Sequence, residues 1–497
     1  MKTQEFLEHH GIRINPFAEE DAQTDPVFKD HCIVSTHHPA WDKIYGDPAE
    51  PATSIVFGEK GSGKTAMRLQ IARHLSQYNA EHPTQRVYVV EYDDFNPFLD
   101  RFRDRFGSRR RRADRVLGDW KLWDHMDAIL SLGVTGLVDR ILETKPTRNP
   151  SSNLLDPSAV QSLDQHQARD LLMLAACYDQ STAETSKGRW RRLRRKLRYR
   201  AWPAQWDWAL GAISSIAVVS GIAYLDHWDW LQGPWPYLIV AAAWLPWLTR
   251  FCRRFIQAVL IARNVRVGKH VVHPLRQILM NFRAGDISGQ PLPKKQRTDD
   301  RYELLAKFQG ILKTLGFHGI VVLVDRVDEP HLINGSVDRM RAILWPMLDN
   351  KFLKHPGIGI KLLLPIELSQ FIDREDRDFY QRARLDKQNM VPSLEWTGEA
   401  LFDVASARLK ACALPDRSPT VSDLFDPSIT ERRLTDAFRG LRVPRHLFKF
   451  MYRLFVAHCN AYTDDAPCWK ISSERFESVL ALYSRDQDAF DRGMRAG

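Results

Sequence analysis

Eight consecutive residues, Gly58-Glu59-Lys60-Gly61-Ser62-Gly63-Lys64-Thr65, constrain this chain more than any other feature. They fit G-x-x-x-x-G-K-[ST], the phosphate-binding P-loop pattern. The apolar run Thr53-Ser54-Ile55-Val56-Phe57 precedes them and the helix-forming run Ala66 to Leu75 follows. Strand, glycine-rich turn and helix in that order predict an α/β fold: a parallel sheet with helices on both faces. In such a turn the backbone N–H groups of Gly58, Glu59, Lys60, Gly61, Ser62, Gly63, Lys64, Thr65 and Ala66 curl around phosphate oxygens. The following helix directs its positive end at the same anion. Lys64 then reaches the β- and γ-phosphates and the Thr65 hydroxyl ligates Mg²⁺, so ATP and Mg²⁺ are the expected cofactors. The alternative is a bland glycine-rich turn, which the flanking strand and helix disfavour.

A nucleotide site of this kind needs an acidic residue at the end of a neighbouring buried strand. The run Gly319-Ile320-Val321-Val322-Leu323-Val324-Asp325 supplies one. Five successive aliphatic residues read as a strand buried on both faces. Asp325 falls at its carboxyl end, where ligands of such sheets bind, and is the second expected Mg²⁺ residue. The segment continues Arg326-Val327-Asp328-Glu329-Pro330. Either following acid can orient an attacking water, Glu329 ahead of Asp328. If neither does, hydrolysis is slow and the site is a switch; a nucleotide-binding scaffold with no turnover is a further alternative.

With 497 residues the chain is too long for one ordinary core, so two or three domains are expected. The net charge of +10 suggests an anionic partner, either nucleic acid or lipid headgroups. Six scattered cysteines without a C-x-x-C pair argue against structural zinc and a disulfide framework and fit a reducing cytosol. The polar start, Met1 to Phe6, has no signal-peptide core.

Between the two acid- and phosphate-binding segments lie two uncharged stretches, 208–225 and 231–249. Each approaches the ~20 residues that cross a bilayer as a helix. Trp206, Trp208, Trp228, Trp230 and Trp235 cluster at their ends, as interfacial anchors do. Basic residues flank the pair: Arg189 to Arg200 before it, then Arg250, Arg253, Arg254, Arg263, Arg266 and Lys269. The link Asp226-His227-Trp228-Asp229-Trp230 is acidic. The positive-inside rule therefore predicts a two-span hairpin in a bacterial or archaeal inner membrane, with both termini cytoplasmic. Two crossings also return Asp325 to the side of Thr65. The expected partners are a lipid bilayer at 206–251, anionic lipid at Arg189–Arg200, a second copy of the chain and an unidentified protein. Nucleic acid at Arg109–Arg112 and Arg189–Arg200 is the less favoured alternative.

Elsewhere, Asn15-Pro16-Phe17 precedes an acidic loop, and Asp30 to Ser35 leads into helical sequence at Trp41 to Tyr45. Arg86 to Tyr92 and Lys361 to Pro365 read as further sheet strands, and Tyr302 to Leu315 as a helix. From about Pro392 the pattern is helical, with segments at Glu399 to Leu414 and Leu434 to Phe438. A Pro444-Arg445 pair opens another helix. The expected organisation is a lead-in at 1–50, a first ATPase segment at 51–185, the basic-flanked hairpin at 186–270, a second ATPase segment at 271–391 and a helical lid at 392–497.

Together the P-loop, Asp325, the intervening hairpin and the lid Pro-Arg resemble P-loop ATPases of the AAA+/STAND group. The layout looks like the KAP family, whose transmembrane helices are inserted between Walker A and Walker B. Asn15-Pro16-Phe17 and the lid pair are also similar to archaeal ATPases related to the origin recognition complex. The resemblance implies that Arg445 reaches back from the lid to the nucleotide as a sensor, and that the lead-in covers adenine. It implies a polar sensor at the strand end near Pro365, where Glu367 is the candidate, and an arginine finger for a neighbouring subunit among Arg374, Arg377, Arg382 and Arg384, where surface salt bridging is the favoured reading. Arg326 departs from the pattern, because the residue after the Mg²⁺ aspartate is usually acidic. The implied activity is a membrane-tethered ATP-driven switch or motor acting on partner proteins or in defence.

Overall fold

The computed structural model describes residues 1–34, 36–107, 112–142, 155, 157–199, 206–225 and 228–491. Ser35, Arg109–Arg111, Arg200, Asp226 and His227 lie outside the described residues. The chain divides into two units. The first comprises Met1–His82, Val321–Arg341 and Leu348–Gly497, the second Pro83–Ile320 and Ala342–Met347.

A five-stranded parallel sheet runs in the order β2-β3-β4-β1-β5. The strands are β1 (Ser54–Gly58), β2 (Arg86–Tyr92), β3 (Phe317–Val324), β4 (Ile358–Pro365) and β5 (Asn389–Val391). Every residue of β1 and β4 is buried, as expected of central parallel strands covered on both faces. Ser54 of β1 pairs with Lys361 of β4 on one side and Asn389 of β5 on the other. This register sets the carboxyl end of β1, Gly58, beside Pro365. Lys361 is a charged residue inside this apolar layer. Its ammonium donates to the carbonyls of Ile44 (2.7 Å), Tyr45 (3.0 Å) and Ala52 (2.8 Å). Those bonds fasten the segment entering β1 to the sheet, while burial pushes the lysine pKa down to about 8.

The first unit also contains helices Gly398–Ala411, Glu431–Leu441, Pro444–Cys459 and Ser473–Asp491. Thr397 and Thr430 cap the first two, their hydroxyls accepting from the N–H groups of Ala400 and Arg433. Leu434, Ala437, Phe438 and Leu441 recur at helical spacing and are all buried. The N-terminal lead-in belongs to the same core: Phe6, Leu7, Phe17, Val27 and Phe28 pack with Phe438, Phe448 and Phe455. Backbone bonds from Arg13 to Cys412 and from Leu414 to Gly11 (both 2.8 Å) stitch the two chain ends together.

The second unit is mainly helical, with Leu122–Leu142, Gln165–Tyr178, Ser186–Lys196 and Thr298–Thr314 carrying its core. At its centre Arg301 pairs with Asp127 (3.0 Å), both fully buried, and Tyr178 donates to the same carboxylate at 2.8 Å. Arg189 corrects the expectation of a lipid-facing arginine run. It is buried and forms ion pairs with Asp139 and Asp179, each at 2.7 Å. Trp190 and Leu193 are buried beside it, so among the described residues of this stretch only Arg191, Arg195, Lys196 and Arg198 are exposed.

The structure gives one candidate membrane helix in this region rather than two. The helices Trp206–Leu225 and Trp235–Asn264 pack together, Trp244 lying against Gly211 and its indole N–H donating to Ser215 Oγ at 3.0 Å. Among the described residues only Trp206–Leu225 is long and apolar enough to cross a membrane. Its 20 residues extend roughly 30 Å, the thickness of a hydrocarbon core. In the second helix the uncharged section ends at Thr249, and Arg250, Arg253 and Arg254 follow within the same helix. Part of the apolar stretch read from sequence is spent in the short turn Trp228–Gln232. Ile213, Ile216 and Val219 on the first helix, and Leu238 and Leu245 on the second, are exposed large apolar side chains.

Candidate functional site

β1 ends at Gly58 and the loop 59–63 turns directly into the helix Lys64–Glu81. Gly61 and Gly63 both have φ of +92°, a conformation costly for any residue with a Cβ. Space is restricted too. A Cβ on Gly58 would meet Ser62 Oγ at 2.4 Å, and one on Gly61 would meet Arg445 Cβ at 2.6 Å. The Ser62 hydroxyl is buried without a hydrogen-bond partner among the described residues. Lys64 Nζ donates to the carbonyls of Gly58 (2.8 Å) and Glu59 (2.9 Å), holding the loop closed on itself. Burial pushes its pKa down, opposed by the carboxylates of Asp325, Asp328 and Glu367.

β3 delivers Asp325 to the same place. Thr65 Oγ1 donates to Asp325 Oδ2 at 2.9 Å, joining residues 260 apart in sequence. Arg68, one turn further along the helix Lys64–Glu81, lies 3.4 Å from that oxygen. Burial raises the Asp325 pKa, while Arg68, the Thr65 hydroxyl, the Arg326 N–H and Lys64 favour its charged form. A hydroxyl and a carboxylate at hydrogen-bond distance form the hard-oxygen pair that suits Mg²⁺.

The backbone reverses immediately after Asp325, with Arg326 at φ +58°. For a non-glycine residue this conformation is uncommon and strained. The Arg326 guanidinium lies 3.5 Å from Glu329 and 3.7 Å from Asp21. Asp328 and Glu329 both line the pocket above the loop. Burial raises the Glu329 pKa and Arg326 opposes that rise.

The lid contributes the opposite wall. Arg445, second residue of the helix Pro444–Cys459, packs its stem on Gly61, and its N–H points to the Gly61 carbonyl at 3.4 Å. Arg442 pairs with Glu59. The Trp396 indole N–H donates to Ser62 O at 2.9 Å, and its ring stands over Gly63. Away from the loop the pocket becomes more apolar, with Phe28, Met67, Val404 and Phe448. His38 and Thr36 from the lead-in line it as well. Gln70 holds this lead-in strand by donating to Thr36 O at 2.7 Å. All of these residues belong to the first unit.

Compared with family models, with curated proteins and with solved structures, the chain finds no match.

The structure thus brings together Gly58 to Ala66, Asp325, Asp328, Glu329 and Arg445. The Glu367 carboxylate acts electrostatically on Lys64. Arg374, Arg377 and Arg382 are exposed and lie outside the lining of this pocket. Sequence reasoning missed Arg68, Trp396, Arg442 and the acids at 20–25. Arg68 was findable, because it stands four residues after Lys64 on the same helix. Trp396 carried no signal.

Proposed function

We propose that this protein binds ATP with Mg²⁺ between the P-loop and Asp325 and acts as a membrane-attached, ATP-driven conformational switch of the AAA+/STAND type, similar in layout to KAP proteins. The observation that carries the reading is the 2.9 Å contact between Thr65 and Asp325 at the mouth of a glycine-shaped loop. The loop N–H groups, Lys64 and the start of the helix Lys64–Glu81 bind the phosphates. Thr65 and Asp325 hold Mg²⁺, which when bound neutralises the phosphate charge. Arg68 keeps Asp325 aligned. Asp328 or Glu329 orients the attacking water, with Arg326 restraining Glu329. Arg445 couples the lid helix to the phosphate end, since it already rests on Gly61.

The membrane contact in this proposal is the exposed apolar hairpin 206–251, aided by Arg191, Arg195, Lys196 and Arg198 at anionic headgroups. The test is Mg²⁺-dependent ATP hydrolysis by the full-length chain beside Lys64→Ala and Asp325→Ala. Turnover lost in both variants is expected. Turnover that survives both would reject the site.

A further inference from the structure

The acidic loop Glu19-Glu20-Asp21-Ala22-Gln23-Thr24-Asp25 borders the same pocket and meets the cationic side chains around its phosphate end. Glu20 Oε2 lies 3.8 Å from Arg445 Nε and 3.4 Å from Lys449 Nζ. Asp21 Oδ2 lies 3.7 Å from Arg326, while its other oxygen accepts from the Gln23 N–H at 2.9 Å. Arg326 Nε and Arg445 Nε are buried atoms without a hydrogen-bond partner among the described residues. These carboxylates balance charge without making tight contacts, and Glu20 and Asp21 are themselves 39% and 46% exposed.

The far end of the loop is built differently. Asp25 and Arg408 are buried and pair at 2.6 Å. Arg408 Nε donates to Pro16 O at 2.6 Å, and the guanidinium stacks over Phe448 at 4.4 Å. The loop is therefore fixed at Asp25, and the Thr24 and Asp25 N–H groups donate to Asp21 O at 3.0 and 2.9 Å, while the side chains of Glu20 and Asp21 are loosely held. That asymmetry is what a strap needs in order to swing without unfolding the lid core on which it is mounted.

We propose that Glu20 and Asp21 are exchangeable counter-ions, a built-in gate that competes with nucleotide phosphates for Arg326 and Arg445. This rests on the nucleotide reading above. Guanidinium groups facing a partly dehydrated pocket need an anion. Carboxylates of the same chain supply one at high effective concentration. Phosphate oxygens, more highly charged and able to engage arginine in bidentate fashion, displace them. Displacement frees residues 19–24, whose chain continues into Val27 and Phe28 of the lid core, so occupancy of the phosphate site is passed to the lid.

The test uses the full-length chain and ATP·Mg²⁺ as the probe. Equilibrium dissociation constants are measured for wild type, for Glu20→Gln with Asp21→Asn, and for Lys64→Ala. Deuterium uptake of residues 18–24 in wild type, with and without ATP·Mg²⁺, gives a readout that needs no variant. The gate predicts binding about five- to tenfold tighter in the neutralised variant, from the loss of two weak competing ion pairs. It also predicts faster uptake at 18–24 when ATP·Mg²⁺ is added, an effect missing in Lys64→Ala. Binding by the neutralised variant alone would support the gate as well. Lys64-dependent binding that is unchanged or weaker in the neutralised variant, with uptake unaltered, overturns the gate and leaves the nucleotide site standing. No binding by either wild type or neutralised variant, or equal binding by Lys64→Ala, overturns the nucleotide reading itself.

Discussion

At the scale of single residues, Gly61 leaves no room for a side chain on either count that matters. Its φ of +92° strains any L-residue, and the space a Cβ needs is filled by the Arg445 stem. Gly61→Ala should lower the unfolding free energy by about 2 kcal/mol and weaken nucleotide binding, as read by thermal melts and titration. Lys361 tests the sheet underneath. Its folded pKa of about 8 lies below the ordinary lysine value, so between the two the unfolded chain holds a proton that the folded chain has lost. Stability from this group therefore rises with pH across that window, and its burial cost is fully present below pH 8. Urea melts should show the advantage of wild type over Lys361→Met growing by about 2 kcal/mol from pH 7.5 to pH 10. The loop itself was legible because its pattern names each residue. Lys361 read only as the first residue of an apolar strand, since nothing local reveals that three distant carbonyls converge on it.

At the scale of elements, a basic run proved to be two things at once. The helix Ser186–Lys196 turns Arg189, Trp190 and Leu193 inward and Arg191 and Arg195 outward, a division that 3.6-residue periodicity permits but composition hides. Arg189→Ala removes the partner of Asp139 and Asp179 and should cost about 3–5 kcal/mol in melts of the full-length chain. Arg195→Ala should leave melting unchanged and reduce binding to anionic vesicles. Equal effects in the two variants would contradict this division. Element positions were otherwise well marked in the sequence, whereas their ends were not. The helix read over Glu399 to Leu414 stops at Ala411, because the next residues pair with the N-terminal segment, Ile12 bridging to Ala413. That partner is hundreds of residues away. The apolar stretch 231–249 misled for a related reason: its first residues form a turn and its helix runs on into arginines, which leaves too few apolar residues to cross a bilayer.

At the scale of the whole molecule, the chain leaves the first unit after His82 and returns at Val321, so the pocket is closed by segments flanking a long excursion. The excursion carries the exposed apolar hairpin. A version lacking 206–251 should move from the membrane fraction to the soluble fraction while keeping its nucleotide affinity, because no residue lining the pocket lies in that segment. Co-fractionation of both versions with the soluble protein would remove the membrane from the account. The lead-in and the C-terminal helices share one core, which the sequence showed only as two separate apolar patterns. The most direct measurement is a titration of the full-length chain and of Lys64→Ala with ATP, each with and without Mg²⁺. Saturable, Mg²⁺-enhanced binding at one site in wild type, and its loss in Lys64→Ala, are expected. Absence of binding in wild type and in the Glu20→Gln, Asp21→Asn variant, or binding indifferent to Lys64, would contradict the nucleotide reading.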